Sequence, residues 1–120
     1  MTVISDTNLV NIEDATPATM TVAMFKQEPH DFQINNGLVF QSGYDDLDYL
    51  DFAMLTLTSG HDVTLVRHKG SPQPGTELCV RSDLDTVASV ILETCLFLKS
   101  SESDLQWIHP TVEQQIAVTN

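Results

Sequence analysis

Basic side chains are scarce in this chain of 120 residues, which has 5 Lys+Arg against 17 Asp+Glu and a formal net charge of −12. Nucleic acids and anionic membranes are bound through clusters of lysine and arginine. We therefore expect no direct binding to DNA, RNA or a membrane. The negative charge favours divalent metal cations or basic proteins as partners.

Long apolar runs and targeting signals are also missing from the sequence. The first residues, Met1–Asp6, contain neither a basic nor an apolar stretch, so we expect no signal peptide and a cytoplasmic protein. The most apolar segment, Val87–Leu98, is interrupted by Glu93 and is too short to span a bilayer. Cys79 and Cys95 lie within apolar patterns and are expected to be buried free thiols.

Motifs for transition-metal and phosphate binding are missing too. The 4 histidines form no His-x₃-His pair and neither cysteine belongs to a Cys-x-x-Cys motif, which argues against a zinc site. The loop Lys69–Thr76 contains prolines where a phosphate-binding loop needs backbone N–H donors. We expect this segment to be a stiff hairpin loop.

Cys79 and His68 are the pair that we consider as a nucleophile and its base. In the strand register that we expect, His68 lies directly opposite Glu77. Cys79 is then diagonal to His68 and beyond hydrogen-bond reach. The sequence instead predicts a cross-strand charge pair between Glu77 and either His68 or Arg67. Because no other catalytic constellation is visible, we predict that the protein is not an enzyme.

The chain divides into three parts. Residues 1–18 carry no usable periodicity and are interpreted as a flexible N-terminal arm. Residues 19–112 are expected to form a single α+β domain, because a chain of this length buries one core. Residues 113–120 are expected to be a loose C-terminal tail.

Alternation of apolar and polar residues predicts strands through most of the domain. Asn35-Asn36-Gly37 predicts a hairpin turn, because asparagine and glycine tolerate a positive φ. The predicted strands span residues 19–25, 32–34, 38–40, 52–58, 63–68, 77–81 and 105–108. Strands 52–58 and 63–68 are expected to pair antiparallel.

One long helix is predicted from Ser82 to Lys99. Ser82 is a good N-cap, and Asp83 and Asp85 place negative charge in the first turn, where the helix dipole favours it. Apolar residues at helical spacing form a wide stripe, consisting of Leu84, Val87, Ala88, Ile91, Leu92, Cys95 and Leu98. The predicted fold class is therefore α+β: an antiparallel β-meander with one long C-terminal helix packed on a face.

Acidic residues are concentrated between Lys26 and Arg67, a stretch without another basic residue. The acids are Glu28, Asp31, Asp45, Asp46, Asp48, Asp51 and Asp62. On a helix, Asp45, Asp48 and Asp51 would share a sector of about 120°. In an extended chain, Asp46 and Asp48 would share a face. Carboxylates this close repel one another unless a positive charge compensates them.

A metal ion is one way to compensate this charge, and Ca²⁺ fits best because it takes roughly six to eight oxygen ligands in loose geometry. The segment is not an EF-hand, since Asp51 and Leu57 occupy the positions that need glycine and a bidentate glutamate. The candidate metal ligands are Asp45, Asp46, Asp48, Asp51, Asp31 and Glu28. Ca²⁺ or a similar hard cation is the expected cofactor.

In size, acidity, predicted α+β content and lack of EF-hands, the chain resembles the small acidic calcium-binding proteins of heterocyst-forming cyanobacteria. The residues that carry this resemblance are the cluster Asp45–Asp51 and the acidic region 28–62. The resemblance implies Ca²⁺ binding and a cytosolic calcium-buffering role. It assigns no ligand position.

Two other interpretations of the acidic cluster stay open. The first is a solvated loop whose aspartates favour turns and keep an edge strand from aggregating. The second is an acidic face that docks a basic protein, for example by imitating the phosphates of a nucleic acid. A cation site needs carboxylates that converge on one point, whereas a docking face needs them spread over a surface.

Overall fold

Seven strands form one mixed sheet in the computed structural model, which describes residues 9–82 and 85–112. The strands are β1 Val10–Asn11, β2 Met20–Phe25, β3 Gln41–Tyr44, β4 Tyr49–Thr56, β5 Asp62–His68, β6 Thr76–Val80 and β7 Leu105–Ile108. Their order across the sheet is β1-β3-β4-β5-β6-β2-β7. β1 runs parallel to β3, and the other neighbouring pairs are antiparallel.

The helices are short and most lie between the strands along the chain. Those between strands are α1 Ile12–Ala15, α2 Pro29–Asn36 and α3 Val87–Phe97, with a 3₁₀ turn at Glu102–Asp104, and residues 110–112 after β7 are also helical. The predicted α+β meander with one long C-terminal helix is therefore wrong. The α3 helix has 11 residues, and the chain after it returns to the sheet as β7, beside β2.

The predicted helix start at Ser82 is also wrong, because α3 begins at Val87 with Thr86 as its N-cap. Asp83 and Leu84 lie outside the described residues. From Val87 onwards the apolar stripe is present and buried. Packing of this stripe, rather than the polar residues before it, stabilises the helix.

The segment predicted as a hairpin around Asn35-Asn36-Gly37 is the helix α2 and its C-terminal cap. Pro29 occupies the first turn, and Asp31 accepts a hydrogen bond from the Glu28 N–H at 2.9 Å. Gly37 ends the helix with φ of 68° and donates its N–H to the Gln33 carbonyl at 3.2 Å. An Asn-Gly pair suits a helix cap as well as a hairpin turn, so the local signal was ambiguous.

The predicted strand 38–40 is wrong, because these residues belong to no strand and β3 begins at Gln41. The other five strand predictions are confirmed with small shifts of their ends. The predicted strand 19–25 is β2, and the predicted antiparallel pair 52–58 and 63–68 is β4 and β5. The register of β5 against β6 differs from the expected one. Glu77 lies opposite Val66 rather than opposite His68, a slip of two residues that leaves each side chain on its expected face.

Both faces of the sheet carry buried apolar side chains. On one face, Val63, Leu65 and Leu78 pack with Phe32 of α2 and with the buried stripe of α3. On the other face, a smaller cluster consists of Ile12, Leu50, Phe52, Val66 and Cys79.

Part of the expected flexible arm belongs to the folded body. Ile12 is 4% exposed and Ala18 is fully buried, because α1 and the residues after it pack over the smaller cluster. Residues 1–8 of the expected arm and the expected tail 113–120 lie outside the described residues.

Candidate functional site

The connection between β3 and β4, residues 45–48, is a tight turn built by aspartate side chains. Asp45 Oδ1 accepts the backbone N–H groups of Leu47 and Asp48, each at 2.9 Å. Asp48 Oδ1 accepts the Tyr49 N–H at 2.8 Å, and its other oxygen accepts the Gly70 N–H from the β5–β6 loop. Both carboxylates thus stabilise the turn by accepting backbone N–H groups, as aspartate side chains often do in turns. We call residues 44–49 the acidic turn.

The remaining candidate ligands are held on other elements by other partners. Asp51 lies on β4, where it accepts the Ser42 hydroxyl at 3.3 Å opposite Arg67. Glu28 accepts the Gly75 N–H at 2.9 Å and forms an ion pair with Arg67 at 3.5 Å. Both carboxylates are therefore bound to protein groups and not to each other.

The predicted metal ligands do not converge. Within residues 9–82 and 85–112, no group of three or more His, Cys, Asp and Glu side chains is placed to hold a metal ion. All six candidates are among those residues: Asp45, Asp46, Asp48, Asp51, Asp31 and Glu28. We therefore identify none of them as a metal ligand.

Asp46 is the exception among the aspartates of the acidic turn. Its side chain is exposed, and no described residue gives it a hydrogen bond or an ion pair. Within residues 9–82 and 85–112, its carboxylate is therefore unengaged.

His68, at the end of β5, bridges two carboxylates. Its Nε2 lies 2.7 Å from Asp45 Oδ2, and its Nδ1 lies 2.6 Å from Glu77 Oε2. The contact with Glu77 confirms the predicted charge pair. The contact with Asp45 was missed, because the two residues are 23 positions apart and no local pattern connects them.

The bridge changes the protonation equilibria of its members. Burial of the imidazole opposes its protonation, but the hydrogen bonds with Asp45 and Glu77 outweigh burial and raise the pKa of His68. Burial likewise opposes ionisation of Asp45, but the bond with His68 and the two turn N–H groups outweigh it and lower the pKa of Asp45. The charged form of the pair is therefore favoured.

Glu77 connects the bridge to β2. Its Oε1 accepts the Thr21 hydroxyl at 3.0 Å, and that hydroxyl lies 3.5 Å from the Cys79 sulfur. Burial raises the pKa of Cys79 to about 12, so this thiol is not activated as a nucleophile. Cys79 is buried and free, as predicted, and so is Cys95.

A second polar contact joins Ser59, His61 and Glu93 at the β4–β5 connection. The Ser59 hydroxyl lies 2.9 Å from His61 Nδ1 and 2.5 Å from Glu93 Oε1. In a serine hydrolase the carboxylate contacts the histidine and orients it. Here the carboxylate contacts the serine instead, so the arrangement differs from a catalytic triad. Its hydrogen bonds connect the β4–β5 turn to α3.

A cleft of about 530 Å³ lies beside the acidic turn. Residues 44–49 and Leu9 line this cleft. Leu47 is 90% exposed, and Tyr49 is 55% exposed. Tyr44 and Tyr49 are cross-strand partners in the β3–β4 register. The same open cleft is thus lined by Asp46 and by exposed aromatic and apolar residues.

Comparisons with known proteins find no relative of this chain. No family model, no curated protein and no solved structure matches it. The resemblance to the cyanobacterial calcium-binding proteins therefore stays a prediction. Among the described residues, no helix is both long enough and apolar enough to cross a membrane.

Proposed function

We propose that the protein is a non-catalytic interaction module whose acidic turn binds a segment of a partner protein rich in lysine or arginine. The observation that carries this proposal is the cleft that exposed Leu47 and Tyr49 line together with Asp46, whose carboxylate has no partner among the described residues. A basic side chain with a neighbouring apolar residue would match this surface in both charge and hydrophobicity.

The aromatic residues support an arginine or lysine ligand in particular. Tyr44 is 39% exposed next to Tyr49, and a cation over the face of a tyrosine ring gains roughly 0.5–1 kcal/mol at an exposed site. Asp46 supplies a carboxylate that accepts hydrogen bonds from the same cation. Leu47 offers an apolar contact in the centre of the turn.

The net charge of −12 supports the same partner chemistry over a longer distance. A strongly negative protein attracts basic partners and accelerates their encounter, most of all at low ionic strength. The binding is therefore expected to weaken as salt is added, because surface charges are screened over about 10 Å at 0.1 M salt.

The calcium site that we predicted from the sequence is supported less well. A Ca²⁺ site needs several oxygens at roughly 2.3–2.6 Å from one point, whereas the candidate carboxylates other than Asp46 contact separate protein groups. The arrangement of these carboxylates therefore favours the protein partner over a calcium ion, and a direct calcium titration decides between the two proposals.

The proposal can be tested with a fluorescent peptide of alternating arginine and glycine, blocked at both ends. We expect saturable binding by fluorescence anisotropy, weakened several-fold by Asp46→Asn and by Tyr49→Ala. Glu102→Gln is the matched control, because Glu102 is exposed on a different element and its removal changes the net charge equally. Equal weakening by Asp46→Asn and Glu102→Gln, or no binding at all, would contradict the proposal.

A further inference from the structure

His68 connects the interior of the sheet to the acidic turn. The imidazole lies between Asp45 of the turn and Glu77 of β6, with 26% of its own side chain exposed. Its pairing partner on β4 is Leu50, which carries no charge. Among the described residues, the charged groups that act on His68 are Asp45 and Glu77.

A neutral imidazole has one N–H donor and one acceptor nitrogen. A neutral His68 can donate its one N–H to Asp45 or to Glu77. Its unprotonated nitrogen then faces the other carboxylate, and no hydrogen bond forms there. Only the doubly protonated imidazolium donates to both. The imidazolium is therefore the form that satisfies both contacts, at 2.7 Å to Asp45 and 2.6 Å to Glu77.

Asp45 belongs to two environments at once. One of its oxygens contacts His68, its side chain is 20% exposed, and the residue is one of those that line the cleft beside the acidic turn. A cation bound in the cleft would therefore lie beside the residue whose carboxylate contacts the imidazole.

We propose that His68 is a built-in counter-ion of the acidic turn, and that a basic side chain of the partner competes with the proton on His68 for the Asp45 carboxylate. This inference rests on the proposed function. When the partner cation binds Asp45, His68 releases one proton to solvent and keeps a single N–H bond to Glu77. Binding of the basic partner is then linked to the loss of a proton.

Linkage makes the coupling reciprocal and gives it a sign. Raising the pH removes the proton from His68 and frees Asp45, so the affinity for the basic partner increases. For one proton, the dissociation constant falls at most about tenfold per pH unit. Conversely, bound peptide makes His68 easier to deprotonate.

The test uses the blocked arginine peptide, because arginine stays charged and blocked ends carry no titratable group. We expect its affinity to increase from about pH 5.5 to about pH 8.5, the range where a histidine titrates. His68→Gln is expected to remove this pH dependence. His30→Gln is the matched control, since His30 is exposed on α2, and it is expected to retain the wild-type dependence.

Glu77→Gln separates a bridge from a simple ion pair. With one carboxylate removed, the pKa of His68 is expected to be lower, so the change in peptide affinity is expected at lower pH than in the wild type.

A second measurement needs no variant. The titration midpoint of the His68 ring, followed by NMR, is expected to fall when saturating peptide is added.

The possible outcomes distinguish the two proposals. Peptide binding that is independent of pH, or a His68 midpoint that does not move with peptide, overturns the counter-ion role and leaves the proposed function standing. Loss of the pH dependence in His30→Gln as well as in His68→Gln overturns the counter-ion role too. Absence of peptide binding at every pH contradicts the proposed function and this inference together.

Discussion

The His68 imidazole contacts the Glu77 carboxylate at 2.6 Å although the β5–β6 register places Glu77 opposite Val66. The contact is diagonal across the two strands, within reach of two long side chains. It fixes one nitrogen of the ring and leaves the other directed at Asp45. The orientation of His68 therefore couples β6 to the acidic turn.

The first prediction concerns the contribution of this bridge to stability. The pKa of His68 is raised by folding, so its contribution is fully present below the pKa of the unfolded chain and is lost as the pH rises through the folded pKa. The pKa of Asp45 is lowered, so the bridge also weakens as the pH falls through that pKa. We expect His68→Gln to cost about 1 kcal/mol between these limits and less at higher pH.

Urea unfolding of the wild type and His68→Gln at several pH values measures this difference. His30→Gln is the control for removing an exposed histidine, and it is expected to unfold like the wild type at each pH. A His68→Gln cost that grows as the pH is raised above neutrality would show that the neutral imidazole, not the imidazolium, stabilises the fold.

The second prediction tests the cap of α2. Gly37 has a φ of 68°, and a Cβ added there would meet no atom within 4 Å. Gly37→Ala therefore introduces conformational strain without a clash, and we expect it to lower the free energy of unfolding by about 1 kcal/mol. Asn35→Ala, on the exposed side of the same helix, is expected to change stability little. Equal effects of the two substitutions would argue against this cap.

The third prediction concerns the two cysteines. Burial raises the pKa of Cys79 to about 12 and that of Cys95 to about 11, so neither is a thiolate at neutral pH. We expect no reaction of the native protein with a thiol-specific reagent, and labelling of both cysteines in guanidinium chloride. Fast labelling of either cysteine in the native protein would show that it is more accessible than its 3% exposure indicates.

The fourth prediction concerns calcium. Because the described carboxylates do not converge on one point, we expect calorimetric titration of the chelator-treated protein to show no saturable heat at about millimolar Ca²⁺. The melting temperature is expected to stay unchanged as well, since a ligand that binds only the native state would raise it. Saturable binding that disappears when Asp45, Asp46, Asp48 and Asp51 are changed to Asn would reinstate the calcium site.

The sequence located the candidate region but not its internal contacts. Short-range patterns predicted most strands and the apolar stripe of α3, because alternation and helical spacing reflect burial of one face. They could not predict that β2 lies between β6 and β7. That placement depends on contacts such as the one from Thr21 to Glu77, which joins residues 56 positions apart.

The same limit applies to the acidic turn. A run of aspartates has the same appearance in sequence whether its oxygens bind a metal ion, a backbone amide or a histidine. The turn N–H groups and His68 take up Asp45 in the structure, and only folding brings His68 to that place.

The most direct test of the account maps where a basic ligand binds. We propose to add the blocked arginine peptide to ¹⁵N-labelled protein and to follow the backbone amide resonances by NMR. If the acidic turn is the binding site, the largest chemical-shift changes fall on residues 44–49 and are smaller in Asp46→Asn. Largest changes on another surface, such as the exposed side of α3, would contradict the assignment of the acidic turn as the binding site.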